Sequence, residues 1–348
     1  MNNVLAGKTV LITGGTGSIG SGIVKAALVQ GAGKVVIFSR DEIKHFLMKK
    51  RITDDRLNTV VGDVRDVRSV EQVFDIFDID IIYHAAAMKH IVMCEDFPLE
   101  AVKTNVIGTQ NVVDLAIRHK VPKMINISTD KAAHPVNILG TTKYIAERIT
   151  LNANRMCAKG QVFSCVRFGN VANSRGSVIP VYIDNLLNRK PLQVSSLEVT
   201  RFIMEISDAV NLIVKATISA QGNEVFILKM KAFKLGDLVD VIVNRIAPKL
   251  GIPKKAIKVN IAGLVTGEKV HEDLVNPTEL SQIFDLEDMY VVSAAYKANA
   301  KYHHASKAKL LSYTSNNVEL ISKDEIEKLV LKYLELFSSK IYKDGTEL

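Results

Sequence analysis

The sequence predicts an α/β fold, a doubly wound parallel sheet followed by a smaller C-terminal region. Three observations carry this. Apolar strand candidates alternate with amphipathic helical patterns through the first half of the 348 residues. The first strand runs directly into a glycine-rich turn, Thr13-Gly14-Gly15-Thr16-Gly17-Ser18-Ile19-Gly20. Near residue 170 the alternation stops. Strands that are apolar throughout, with amphipathic helices between them, indicate a parallel sheet covered on both faces.

The strand candidates lie at 8–13, 34–38, 57–61, 80–84, 122–127 and 162–168, and the helical patterns at 18–31, 41–53, 67–77, 97–119 and 137–159. Residues 1–170 are therefore assigned to a dinucleotide-type domain. Residues 171–348 are assigned mainly to a substrate-binding region and tail, with some later segments returning to the first domain. The stretch 171–205 carries Gly176, Pro180 and Pro191 and no clean period. Further helices are expected at 207–220, 235–249 and 324–339, and the Lys-, Ala- and His-rich stretch 296–312 reads as a surface segment.

Composition excludes several classes. The net charge is +8, but Lys and Arg are interleaved with Asp and Glu, there is no Trp, and no aromatic-plus-basic motif of a nucleic-acid reader is present. Such a positive field suits a phosphate-rich small ligand. Cys94, Cys157 and Cys165 have no metal-type spacing, so no metal is expected, and their odd number gives no disulfide framework. No apolar run is long enough to span a membrane. The expectation is a soluble, cytoplasmic protein with no nucleic-acid or membrane partner.

The glycine turn can be a structural βα turn or a phosphate cradle. In the second case Gly14, Thr16, Gly17, Ser18, Ile19 and Gly20 meet a pyrophosphate at a helix N-terminus, whose free N–H groups favour anions. At the end of the second strand, where an acid would bond a ribose 2′-hydroxyl, the chain has Ser39 and Arg40. The planar guanidinium matches phosphate oxygens in pairs, which favours NADP over NAD. Asp41 and Glu42 point the other way, or are first-turn acids of the next helix. Asp63, next to Val64, either meets the adenine or is a turn carboxylate. Ala85 and Ala86, at the fourth strand's end, are small enough for a cofactor to lie against the backbone. The fifth strand ends in Ser128-Thr129-Asp130-Lys131, a polar loop with a helix cap or a catalytic set, and Lys143 on the next helix projects back towards it.

Taken together, TGGTGSIG, HAAAMKH (84–90), STDKAAHP (128–135) and the Lys143 helix resemble the extended short-chain dehydrogenase/reductase superfamily, whose dinucleotide domain is Rossmann-like. FSRDE (38–42), VRFGNVANSRGSVIP (166–180), TRF (200–202) and GEKVHEDL (267–274) make the chain similar to the polysaccharide-biosynthesis branch, the UDP-N-acetylglucosamine 4,6-dehydratases. The resemblance implies an NADP that is reduced and reoxidised within one turnover. The sugar is oxidised at C4, loses its C5 proton and C6 hydroxyl as water, and is reduced at C6. It implies that Asp130 protonates the leaving hydroxyl, Lys131 is the base at C5, and Thr129 bonds the C4 oxygen. It also implies that Lys89, Asn170, Arg201 and Glu268 face a UDP-sugar, with Arg201 on the diphosphate unless it is a surface ion-pair partner. Relatives assemble as homo-oligomers, which is expected here by analogy.

Two positions depart from the pattern. Leu139 stands where the superfamily's Tyr-x-x-x-Lys motif has tyrosine, and Val265 stands where relatives have an arginine that helps hold the diphosphate. Leucine cannot take a hydroxyl proton, which argues against an epimerase or reductase that relies on tyrosine. The expected activity is an NADP-dependent UDP-N-acetylhexosamine 4,6-dehydratase, a hydro-lyase. The alternatives are a sugar-nucleotide 4-epimerase and a catalytically silent NADP-binding protein.

Overall fold

The computed structural model describes residues 3–293 and 306–344, with side chains to residue 337. In chain order the elements are β1 (Thr9–Thr13), α1 (Ser18–Val29), β2 (Lys34–Ser39), α2 (Glu42–Arg51), β3 (Leu57–Val61), α3 (Val67–Ile76), β4 (Ile81–His84), α4 (Ile91–Asp96), α5 (Pro98–Ala101), α6 (Gly108–Arg118), β5 (Lys123–Ile127), α7 (Ile138–Asn152), β6 (Val162–Arg167), β7 (Asn170–Val171) and α8 (Val178–Leu187). There follow β8 (Leu192–Val194), β9 (Thr200–Met204), α9 (Ile206–Ser219), β10 (Glu224–Leu228), β11 (Lys231–Lys234), α10 (Leu235–Val241), α11 (Ala247–Lys249), β12 (Val259–Ile261), β13 (Ile283–Leu286), β14 (Met289–Ser293), β15 (Ser306–Lys307) and α12 (Lys323–Asp344).

These segments group into two compact units. The larger comprises Met1–Phe168, Ile206–Lys229 and Asp273–Ser312, and the smaller Gly169–Glu205, Met230–Glu272 and Tyr313–Leu348. In the larger unit one sheet has the order β15-β13-β14-β10-β6-β5-β4-β1-β2-β3. From β10 to β3 every neighbouring pair is parallel. Its strands are nearly continuous apolar runs because both faces are covered, and Val10, Leu11, Ile12, Val35, Val36 and Ile37 are fully buried. β1 pairs with β2 on one side and β4 on the other, so the strand order reverses there. In open α/β sheets this switch point is where the ligand crevice opens, beyond the strands' C-terminal ends.

The six first-half strands lie within a residue or so of their expected positions, because each is bounded by charged or glycine-containing turns. The helices differ more. The pattern at 97–119 is interrupted by a π-helical turn, Val102–Ile107, and the pattern at 137–159 ends as an α-helix at Asn152. The stretch without a period holds α8, whose Pro180 falls in the first turn, where the missing N–H is tolerated. The larger unit also takes back α9, β10 and the antiparallel hairpin β13–β14. Of the 296–312 segment, residues 296–305 lie outside the described residues, and Ser306–Lys307 pairs with β13 as an edge strand.

The smaller unit contains the sheets β11-β9-β7 and β12-β8. Its core gathers Ile179, Tyr182, Ile183, Leu192, Val194, Phe233, Leu238, Ile242, Ile326 and Val330 from α8, β8, β11, α10 and α12 and the π-helical turn after α10. No described helix is long and apolar enough to cross a membrane.

Candidate functional site

The glycine turn bridges β1 and α1. Gly14 has φ +66°, and a Cβ there would lie 2.7 Å from the Ala86 nitrogen and 2.8 Å from the Ala85 carbonyl. A Cβ on Gly20 would lie 2.3 Å from the Gly14 oxygen. The helix begins at Ser18 with Gly17 as its cap and no side-chain cap hydrogen bond. Ile19 follows in the first turn. A side chain at Gly14 or Gly20 would collide with the backbone of Ala85, Ala86 or Gly14. These glycines therefore let the turn close tightly in front of a helix N-terminus that has no side-chain cap, an arrangement that fits a dinucleotide pyrophosphate.

At the end of β2 the Ser39 hydroxyl lies 2.9 Å from Thr16 Oγ1. Arg40 is half exposed and 3.7 Å from the Asp63 carboxylate. Arg65 also grips Asp63, through Nε at 2.8 Å and its backbone N–H at 3.0 Å. Burial pushes the Asp63 pKa up, but the Arg65 hydrogen bonds and the two guanidinium charges outweigh it and hold the carboxyl below its ordinary value. Asp63 is thus a turn carboxylate in a charged cluster, whatever else it contacts. The Val64 side chain lies in the core against Gly108, leaving only its backbone for a ligand.

β5 ends at the candidate catalytic set. Ser128 N–H donates to the Val166 carbonyl and Asp130 N–H to that of Phe168, which ties the loop to the next strand. Thr129 caps a short 3₁₀ turn, Asp130–Ala132. Asp130 is fully buried. Its Oδ1 accepts from the Thr129 hydroxyl at 2.7 Å, the Lys131 N–H at 2.9 Å and the Lys131 ammonium at 3.0 Å. Its Oδ2 is buried without a hydrogen-bond partner.

α7 packs its first turn onto this loop at Gly140, where a Cβ would lie 2.4 Å from the Lys131 carbonyl oxygen. Asn137 caps the helix at the Gly140 N–H. Lys143, on the buried face, donates to the Ile127 carbonyl at 2.6 Å. Burial brings its pKa down to about 8, against the opposing influence of Glu147 one turn on. Leu139 does not replace a tyrosine's chemistry. It packs with Cys94, Ala101, Met88 and Ile91 as an apolar cluster.

Sequence reasoning missed the buried polar groups behind these residues. His84 is fully buried, with Nδ1 2.7 Å from Thr13 Oγ1 and Nε2 3.0 Å from Thr109 Oγ1. The Thr109 hydroxyl donates to Asn105, so His84 carries its proton on Nε2 and accepts from Thr13 at Nδ1. Burial and then the Lys143 charge push its pKa down to about 3. Asn105, in the π-helical turn, bonds the Met88 backbone on both sides and Thr142. The fully buried Arg167 bonds both oxygens of Glu147, both of Glu279 and the Leu274 carbonyl. A lone polar residue inside an apolar strand, as in IIYH or VFSCVR, was the available signal.

Of the residues expected to face a sugar nucleotide, Lys89 belongs to the larger unit and is exposed. Asn170, Arg201 and Glu268 belong to the smaller. There Asn170 starts β7 beside Ile203 of β9. Arg201, on β9, is buried and donates to the Thr200, Val270 and Lys269 carbonyls and to Glu268 at 2.8 Å, with Glu272 at 3.8 Å. It is neither a surface ion-pair partner nor an uncommitted cation, because its fork is satisfied within its own unit. Val265 is half exposed, and its carbonyl closes the turn by accepting from the Glu268 N–H.

The model of a family described as polysaccharide biosynthesis protein matches residues 10–294. A Methanocaldococcus jannaschii protein described as an uncharacterized membrane protein is 40% identical over 331 residues, 95% of this chain and 97% of its own. The UDP-glucose 4-epimerase of Rickettsia akari is 34% identical, covering 93% of this chain and 95% of its own. Pen from Bacillus thuringiensis, a solved structure, matches with a TM-score of 0.87 and 37% identity over 95% of this chain and 98% of its own. A dTDP-glucose 4,6-dehydratase from Streptomyces venezuelae shares the fold, with a TM-score of 0.70 at 18% identity over 95% of this chain and 98% of its own. With the glycine turn after β1, the Thr129-Asp130-Lys131 loop after β5 and Lys143 on α7, these matches make the chain a member of the polysaccharide biosynthesis protein family within the extended short-chain dehydrogenase/reductase superfamily.

Proposed function

We propose that this protein is an NADP-dependent 4,6-dehydratase of a UDP-N-acetylhexosamine, UDP-N-acetylglucosamine being the first candidate. The observation that carries the reading is the buried Asp130 paired with the partly exposed Lys131 after β5, in the strand order β5-β4-β1 that leads to the glycine turn. Neighbouring strands are about 5 Å apart, so the strands that carry the pair and the glycine turn are about 10 Å apart across the sheet.

Loss of a hydroxyl from carbon needs an acid, and removal of a proton beside a ketone needs a base. Asp130 has one oxygen crowded by three donors and one with none. A proton on this carboxyl belongs on Oδ2, and that oxygen is the one to deliver it to the leaving hydroxyl. Lys131, 3.0 Å from the same carboxyl, takes the C5 proton as the neutral amine and later returns it to C5. Thr129, whose hydroxyl donates to Asp130, accepts from the C4 hydroxyl and relays its proton to that carboxylate, which gives it up again to the leaving C6 hydroxyl. Lys143, bound to the Ile127 carbonyl, fixes the N-terminal end of α7. The bound nicotinamide supplies reversible hydride acceptance. Lys89, Asn170 and Glu268 are proposed for the sugar nucleotide. Arg201 contributes to its diphosphate only by exchanging one of its present partners.

A second reading, a sugar-nucleotide 4-epimerase, is favoured by the Rickettsia relative's name and 34% identity. Leu139 weighs against an epimerase that relies on a tyrosine there, and the Asp130–Lys131 pair, which dehydration needs and 4-epimerisation does not, favours the first reading. One experiment separates them. Protein, NADP and UDP-N-acetylglucosamine are mixed in heavy water and followed by mass spectrometry and proton NMR. Loss of one water with a new C6 methyl signal supports the dehydratase. An unchanged skeleton with inverted C4 supports the epimerase and rejects the dehydratase.

A further inference from the structure

His45 lies on the buried face of α2, only 4% exposed. Its Nε2 is 2.8 Å from the Ser39 hydroxyl and 3.0 Å from the Ser39 carbonyl oxygen. Its Nδ1 is buried with no hydrogen-bond partner. A carbonyl oxygen can only accept, so Nε2 carries the proton and shares it between the two Ser39 oxygens. The other tautomer would set a lone pair against the carbonyl and leave a buried N–H unsatisfied, the costlier arrangement. Burial holds the imidazole below its ordinary pKa, against the Ser39 hydrogen bond and Asp41, so the ring is neutral.

This bond changes what Ser39 can do. A hydroxyl has one proton and two lone pairs. His45 occupies one lone pair; Thr16 Oγ1, at 2.9 Å, can either donate into the other or take the Ser39 proton. Opposite a 2′-phosphate, which only accepts, the arrangement with Thr16 donating is the one that satisfies both. Ser39 is then left with a proton to give and no capacity to accept. A 2′-phosphate consists of acceptors and matches such a group. A ribose 2′-hydroxyl must also donate, and at Ser39 it finds no acceptor. The neighbouring Asp41 receives the Lys44 N–H and ammonium as the cap of α2, so its carboxylate is turned to its own helix.

We propose that His45 is a specificity-determining residue that, by donating to Ser39, makes that hydroxyl a donor and biases the site towards the 2′-phosphorylated dinucleotide. This rests on the NADP reading above and deepens it, assigning part of the discrimination to a residue that never touches the cofactor. Arg40 supplies charge, and His45 supplies hydrogen-bond polarity.

The test is a double-mutant cycle read by binding. The full chain, stripped of copurified nucleotide, is titrated calorimetrically with NADP and with NAD. The variants are His45→Phe, which fills the space without a donor, His45→Gln, whose amide can still donate, Ser39→Ala and the double His45→Phe/Ser39→Ala. The NADP-to-NAD affinity ratio is expected to fall about tenfold in His45→Phe, the scale of one hydrogen bond, and to be largely kept in His45→Gln. Ser39→Ala should lower it similarly, and the double variant should lower it no further. Equal losses for both nucleotides, or additive effects in the double variant, would mean that His45 does not act through Ser39. If His45→Phe fails to fold, Ser39→Ala and His45→Gln still decide, and an unchanged ratio in Ser39→Ala overturns the proposal. A wild-type protein that binds both nucleotides equally removes the NADP reading and this proposal with it. A wild-type preference that survives in His45→Phe removes this proposal alone.

Discussion

Replacing Arg167 by methionine tests how the larger unit holds α7 in place. The guanidinium is fully buried and bonds two carboxylates, Glu147 at 2% exposure and Glu279 at 18%. Removing one partner of a buried ion pair costs about 3–5 kcal/mol, because the other charge is left desolvated. Glu279 lies nearer the surface and can turn to water. Glu147, between α7 and β6, cannot, so most of the loss should come from it. Arg167→Met is therefore expected to lose about 3–5 kcal/mol, and Glu147→Gln/Arg167→Met to recover about 1–2 kcal/mol of that by removing the stranded charge. The chain has no tryptophan, so urea unfolding is followed by circular dichroism. A single variant within about 1 kcal/mol of wild type, or a double variant less stable than the single, would refute the reasoning.

Other outcomes are specific to the site. Lys131→Ala should lower the dehydration rate by about 10²–10⁴-fold while NADP still copurifies; wild-type turnover in that variant removes Lys131 from the mechanism. Gly14→Ala places a Cβ 2.7 Å from the Ala86 nitrogen at φ +66°. The left-handed backbone alone costs about 1–2 kcal/mol, and the purified variant should show no nucleotide absorbance. Lys143 should make stability depend on pH. Its native pKa of about 8 lies below its ordinary 10.5, so between these values the unfolded chain binds more protons and stability rises with pH. The stability difference between wild type and Lys143→Met should therefore grow in favour of wild type from pH 8 to pH 10.5, and a difference that is flat across that window contradicts the assignment.

Much of the larger unit was legible from local signals. The apolar runs of β1 to β6 and the glycine turn are local signals, because strand period and left-handed backbone depend on a few consecutive residues. Thr129, Asp130 and Lys131 were singled out by their place after β5, since a parallel strand's C-terminal end is where this architecture binds ligands, and the roles proposed for them come from the family resemblance. β10 was not legible. EVFIL at 224–228 is an ordinary apolar run, and only its pairing with β6 reveals that the chain returns to the first sheet.

The sequence by itself thus determined the α/β class and the glycine turn after the first strand, both written in short contiguous segments. Only the tertiary structure decided what surrounds them. It placed Glu147 and Glu279 on Arg167, seated Leu139 in an apolar cluster, satisfied Arg201 by Glu268 and three carbonyls, and put His45 against Ser39. Arg167 and Glu279 are 112 positions apart in the chain. No local period encodes such a pair. A buried charge or imidazole accepts whichever complementary group packing brings within hydrogen-bond distance, and that choice is made only when the chain closes around it.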